Sequence, residues 1–142
     1  MDSTHGTFTY VGDGDGTQDT KTLTINGSNT VVYNNLVIND PNATAGNRDI
    51  FATAANSSLT VNGSLTVTSG TLNASASGST VAVTGAVAIG SSGILVAPAS
   101  TGATAFTVGG NWTNSGTFTN SSGEVTFNGA STATIAGYYH LL

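Results

Sequence analysis

A Ser-Gly-x-apolar tetrapeptide returns at intervals of 23 residues, as Ser69-Gly70-Thr71-Leu72, Ser92-Gly93-Ile94-Leu95 and Ser115-Gly116-Thr117-Phe118. Ahead of each stands an alternating apolar pair and a glycine: Leu59-x-Val61-x-Gly63, Val81-x-Val83-x-Gly85 and Phe106-x-Val108-x-Gly110. An apolar residue follows each glycine by two positions, at Leu65, Val87 and Trp112. A fixed period of this size marks a repeat architecture, whose units bury their apolar faces only by stacking on their neighbours. The units alternate like strands, so the reading is an all-β solenoid of about six coils with about 22 to 23 residues each. It forms a single domain over residues 1–142. An immunoglobulin-like β-sandwich is the alternative, since short alternating strands with frequent turns also suit it; the 23-residue recurrence favours the solenoid.

Strands are expected from Thr7, Thr22, Val31, Leu36 and Ile50, then through both sides of each repeat to Ile135, with no helix of note. Gly27, Gly63, Gly85, Gly110 and Gly129 fall where a coil turns a corner, and positive φ is the reason expected for them. Asn39 to Asn56 breaks the pattern with Asp40-Pro41-Asn42, so an irregular loop is expected at about 39–57, and a second at Pro98 to Gly102. A longer echo is offset by 110 residues: Gly6-Thr7-Phe8-Thr9 against Gly116-Thr117-Phe118-Thr119, and Thr24-Ile25-x-Gly27 against Thr134-Ile135-x-Gly137. Tyr33-Asn34-Asn35-Leu36 also parallels Tyr139-His140-Leu141-Leu142.

Composition narrows the chemistry. Charged residues make up only 6% of the chain, and Lys21 and Arg48 are its two basic residues against seven acids. A net charge of −5 leaves no basic face for nucleic acid. The 38% apolar content and the ordered alternation argue against disorder. No apolar run approaches the ~18 residues of a membrane span. Cysteine is absent, which removes disulfides and thiolate metal sites. Met1-Asp2-Ser3-Thr4-His5 has neither a basic nor an apolar leader region, so the chain is expected to be a mature or excised segment.

The sharpest local motif is Gly12-Asp13-Gly14-Asp15-Gly16-Thr17-Gln18-Asp19. Asp13, Asp15, Thr17 and Asp19 alternate like the oxygen ligands of a calcium loop, although its central glycine and terminal glutamate are missing. A solvated acidic turn is the competing reading, and no other cofactor is indicated. Catalysis is not expected: the remaining acids are scattered, two basic residues cannot furnish a lyase or hydrolase face, and Arg48-Asp49 reads as a loop ion pair. Seven Asn-x-Ser/Thr sequons, at Asn26, Asn42, Asn56, Asn62, Asn73, Asn111 and Asn120, are glycan acceptor candidates in an exported protein. Phe106, Trp112, Phe118 and Phe127 are spaced as inward residues of successive sides, favouring core stacking over a glycan platform.

Leu65-Thr66-Val67-Thr68-Ser69-Gly70-Thr71-Leu72 and Gly109-Gly110-Asn111-Trp112-Thr113-Asn114-Ser115-Gly116-Thr117-Phe118 resemble strand repeats of bacterial surface proteins, the large adhesins and hemagglutinin-like or autotransporter-like β-helices. The likeness covers residues 58–137 and, loosely, the rest. It implies an exported, repetitive, cell-surface or filament-forming protein. The expected function is therefore a non-catalytic subunit that stacks end to end on itself through Tyr138, Tyr139, Leu141 and Leu142 at one end and Phe8 and Tyr10 at the other. The alternative is a stalk or glycan-binding module of a large adhesin, with glycans or a cell surface as partners.

Overall fold

The computed structural model describes residues 4–23, 30–130 and 134–137. Among them there is no α-helix, only a 3₁₀ turn at Ala45–Asn47, and no helix is long and apolar enough to cross a membrane. The strands are β1 (Thr7–Tyr10), β2 (Thr20–Thr22), β3 (Thr30–Tyr33), β4 (Asn35–Asn39), β5 (Ile50–Ala52), β6 (Ser58–Val61) and β7 (Leu65–Asn73). They continue as β8 (Thr80–Val83), β9 (Val87–Val96), β10 (Phe106–Val108), β11 (Trp112–Asn114), β12 (Thr117–Thr119), β13 (Val125–Phe127) and β14 (Ile135–Gly137). A five-stranded sheet runs β3-β6-β8-β10-β13. A nine-stranded sheet runs β1-β4-β7-β9-β11-β14, with β2 and β5 beside β7 and β12 beside β9. Neither sheet closes on itself.

Every strand pair is parallel. An immunoglobulin-like sandwich is built from antiparallel sheets, so that alternative is set aside. The pairing follows the sequence repeat residue for residue. Leu59 lies beside Val81 and Val81 beside Phe106; Leu65 lies beside Val87 and Val87 beside Trp112; Leu72 lies beside Leu95 and Leu95 beside Phe118. In-register parallel neighbours share a face, so these pairs stand in columns. Val31, Leu59, Val81 and Phe106 form one buried column, Tyr33, Val61, Val83 and Val108 a second, and Leu36, Leu65, Val87 and Trp112 a third. They merge into one core, in which each fully buried Val, Leu or Phe contributes about 1.5–3 kcal/mol.

The Ser-Gly pair marks the bend within each long strand. Between Val67 and Ser69 the register shifts, and Ser69 and Gly70 are both buried where alternation breaks. Ser69 Oγ donates to the Asp40 carbonyl oxygen, tying the bend to the pass before it. Gly70 has φ +82°. Gly93 and Gly116 have ordinary φ, and a Cβ on either would run into carbonyl oxygens of the neighbouring pass, at Val67 for Gly93 and at Gly90 and Gly93 for Gly116.

Close approach also corrects the expectation of positive φ at the corners. A Cβ on Gly85 would lie 2.6 Å from the Gly63 carbonyl oxygen, and one on Gly110 would lie 2.7 Å from the Gly85 carbonyl carbon. None of Gly63, Gly85, Gly110 and Gly129 has positive φ, and Gly27 lies outside the described residues. Glycine recurs here because adjacent backbones touch.

The N-terminal half departs from 23. Phe8 meets Leu36 and Leu36 meets Leu65, offsets lengthened by residues 11–19 and 40–49, which leave the sheet and return. The irregular stretch expected at 39–57 is thus shorter than read: β4 ends at Asn39, and β5 resumes at Ile50. β2 begins two residues before the strand expected from Thr22.

Candidate functional site

Three places hold the residues singled out by the sequence: the acidic loop between β1 and β2, the aromatic N-terminal end, and the apolar C-terminal end. The acidic loop is built by carboxylates reaching across passes. Asp49, 1% exposed, accepts the Asp19 amide on Oδ1 at 2.9 Å and the Asp13 amide on Oδ2 at 3.3 Å. Asp40, 3% exposed, accepts the Asp49 amide at 2.6 Å and the Asn42 amide at 2.9 Å. Two buried carboxylates therefore anchor both excursions from the sheet, each accepting two backbone N–H donors. Arg48 forms no pair with Asp49; its Nε donates to the Asn42 carbonyl oxygen at 2.9 Å. The loop ion pair read from the sequence is corrected accordingly.

Asp13, Asp15 and Asp19 do converge, with carboxylate oxygens within 4.8 Å of one another. Lys21 Nζ already stands among them, 2.9 Å from Asp13 Oδ2 and 2.8 Å from Asp19 Oδ2. Its hydrogen bond to Asp13, helped by the Asp15 amide, holds the Asp13 carboxyl below the usual carboxylate range. The same carboxylates, Asp19 first, push the Lys21 ammonium well above its ordinary value. Thr17 turns inward on Asp15, donating its hydroxyl and its amide to Asp15 Oδ1 at 2.7 and 2.8 Å. The four expected ligands are assembled, with an ammonium group between two of them.

At the N-terminal end, Phe8 and Tyr10 are half-buried rather than free. Tyr10 packs 5.3 Å from Phe51 and hydrogen-bonds Tyr33 through the two hydroxyls, and Phe8 lies 5.4 Å from Tyr33. Burial, and then the Tyr10 contact, pushes the Tyr33 hydroxyl far above its usual range. At the C-terminal end, Phe106, Trp112, Phe118 and Phe127 are brought together as inward residues, with Trp112 4.9 Å from Phe118 and 6.2 Å from Phe127. Beyond them opens an apolar cavity of ≈ 300 Å³ lined by Trp112, Phe118, Val125, Phe127 and Ile135. Ile135 is 49% exposed.

The match of Gly6–Thr9 with Gly116–Thr119 in the 110-residue echo does not survive the register, and its other matches involve residues outside those described. Phe8 stands in the column of Leu36, Leu65, Val87 and Trp112, whereas Phe118 stands in that of Leu95, Leu72 and Phe51. The matched motifs thus occupy different sides of the cross-section. Tyr138, Tyr139, Leu141 and Leu142 lie outside the described residues. Among the sequons, Asn56, Asn62, Asn111 and Asn120 are exposed. Asn42 and Asn73 are half-buried, each with its side-chain oxygen accepting a nearby amide, and Asn26 is not described.

Sequence reasoning missed Asp40 and Asp49 as anchors, and Lys21 as the charged member of an inward column. Asp40 before Pro41 was a readable turn signal. The donors that Asp49 serves lie 36 and 30 residues away, too far along the chain for spacing to reveal. No family model, curated protein or solved structure matches the chain.

Proposed function

We propose that the chain winds as a β-solenoid of about six coils and serves as a non-catalytic, rod-like structural element of an extracellular or cell-surface fibre. The carrying observation is the columnar register: one parallel strand stacks on the next on both sheets, along the whole described chain. Such a winding lengthens by about 4.8 Å per coil. The resemblance to bacterial adhesin and autotransporter-like repeats supports the same reading. β12, β13 and β14 have no strand on their outer side among the described residues, and the apolar cavity lies beside them. An uncovered edge of this kind is where a further strand adds, so copies extend the rod from the C-terminal end. Light scattering over a concentration series, with micrographs of the same samples, tests this. Growing filaments are expected; a mass that stays monomeric overturns end-to-end assembly.

A second reading, a stalk or glycan-presenting module of a larger adhesin, draws on the loop at 40–49, which Asp40 fixes over the sheet. Calcium at Asp13, Asp15, Thr17 and Asp19 is a separate proposal, in which the ion competes with the Lys21 ammonium. Calorimetric titration should then show weak binding that Lys21→Met strengthens; no heat from either protein removes calcium from the account.

A further inference from the structure

The two excursions from the sheet are fastened in series rather than side by side. Residues 40–49 hold themselves on β7. At their start the Asp40 amide donates to the Ser69 carbonyl oxygen at 3.1 Å, and Ser69 Oγ donates back to the Asp40 carbonyl oxygen. At their end the Thr71 amide donates to the Asp49 carbonyl oxygen at 3.2 Å. The Asp40 carboxylate then joins the two ends, taking the Asp49 amide on Oδ2 and the Asn42 amide on Oδ1. Inside this ring Asn42 accepts the Thr44 amide on its side-chain oxygen and Arg48 Nε on its backbone oxygen. None of these bonds uses residues 11–19. That first excursion depends on the second instead. Near its two ends the Asp13 and Asp19 amides both donate to the Asp49 carboxylate. Its other side-chain bonds stay within itself or go to Lys21. Gly12 lies so close over the Asp40 carboxylate that a Cβ there would overlap it.

We infer that residues 11–19 form a strap closed over residues 40–49, with a fixed order of opening: the strap opens by itself, whereas opening of 40–49 always releases the strap. The order follows from where each carboxylate is held. Withdrawing the Asp13 and Asp19 amides from Asp49 leaves the Asp40 ring whole. Breaking that ring sets adrift Asp49, the residue to which both ends of the strap are tied. Lifting the strap also uncovers Asp40 and Asp49 together, since Gly12 lies on the first and the two amides on the second. Water then replaces the lost donors, which makes opening of the strap the cheaper event. Sub-global openings of this kind occur in cooperative units well below the free energy of complete unfolding. The inference rests on neither the proposed winding, nor assembly, nor calcium.

Amide hydrogen exchange, followed by NMR on the full chain and corrected for intrinsic rates, tests the order. In the native protein the Asp13 and Asp19 amides should exchange at least as fast as those of Asn42 and Asp49. Slower exchange at Asp13 and Asp19 overturns the inference, and this comparison needs no variant that could fail to fold. Asp49→Ala should quicken exchange at Asp13 and Asp19 roughly tenfold or more while the amides of residues 42 and 49 keep their native rates. Gly12→Ala keeps every acceptor and should give the same pattern, because its added methyl group lifts the strap from Asp40. Asp40→Ala should quicken all four amides. If Asp49→Ala or Gly12→Ala also frees the Asn42 amide, or if Asp40→Ala leaves Asp13 and Asp19 protected, the excursions do not open in this order.

Discussion

One inward column reads Phe118, Leu95, Leu72, Phe51, Lys21 from the C-terminal end to the N-terminal end. It stops in a ring at one extreme and in an ammonium group at the other. Lys21 is held by Asp13 and Asp19, and the acidic loop lies beside it. A partly exposed lysine on an edge strand discourages another sheet from docking there. Phe118 has Trp112 for a neighbour and an apolar cavity beyond. The two ends are therefore chemically unlike, and in the proposed solenoid one end would be guarded and the other receptive.

The comparison can be broken most sharply at the rings. Trp112→Ala should cost about 3–5 kcal/mol of unfolding free energy in a urea titration. Phe8→Ala, at the half-buried opposite end, should cost clearly less. Equal losses would show that both ends are packed alike. Next in size is Asp49→Ala, which strands the Asp13 and Asp19 amides and should cost about 1–3 kcal/mol for each donor left unsatisfied. Hydrogen exchange should quicken at those two amides and stay unchanged in β11. Uniform quickening would mean that the anchored loop is not a local unit.

Guarding can be removed by combining Lys21→Leu with Asp13→Asn and Asp19→Asn. Sedimentation should then show stronger association than the native chain gives at equal concentration. No change would mean that the charge does not set the polarity of assembly. The smallest effect is on pH. Lys21 and Tyr33 both have raised pKa values, so their contributions are intact below about pH 10 and are lost as pH rises beyond it. Asp13 is lowered, so its contribution is present above pH 3.8 and lost as pH falls below that value. All three lie at the N-terminal end, while Glu124 is the only ionisable side chain among the described residues from Phe106 onward. Amide exchange should therefore show that end loosening first at alkaline pH; simultaneous loosening of β11 would contradict the division.

The same division governs what could be read from the sequence. From Ser58 onward each pass repeats almost residue for residue, so period, columns and bends were legible before any coordinate. In the first two passes, the excursions at 11–19 and 40–49 lengthen the spacing and hide the period. The column position of Lys21 was not legible because the strand is expected only from Thr22, one residue beyond it. The Gly-Thr-Phe-Thr match within the echo misled for a physical reason: Gly-Thr-apolar-Thr suits any strand that follows a tight corner, so Phe8 and Phe118 stand in different columns. Asp49 acts through backbone amides 30 and 36 residues away, and no local pattern records such partners.

Gly63, Gly85 and Gly110 stand one above another so closely that neighbouring backbones leave no room for a side chain. This column acts as a ruler for growth by duplication. A segment copied from one corner glycine to the next would bring its own spacer and add one whole pass, leaving the columns on either side in register. A copy with any other boundaries would lay a side chain against a carbonyl and stall. In the proposed solenoid, length would therefore change in whole passes, each bringing its own core columns.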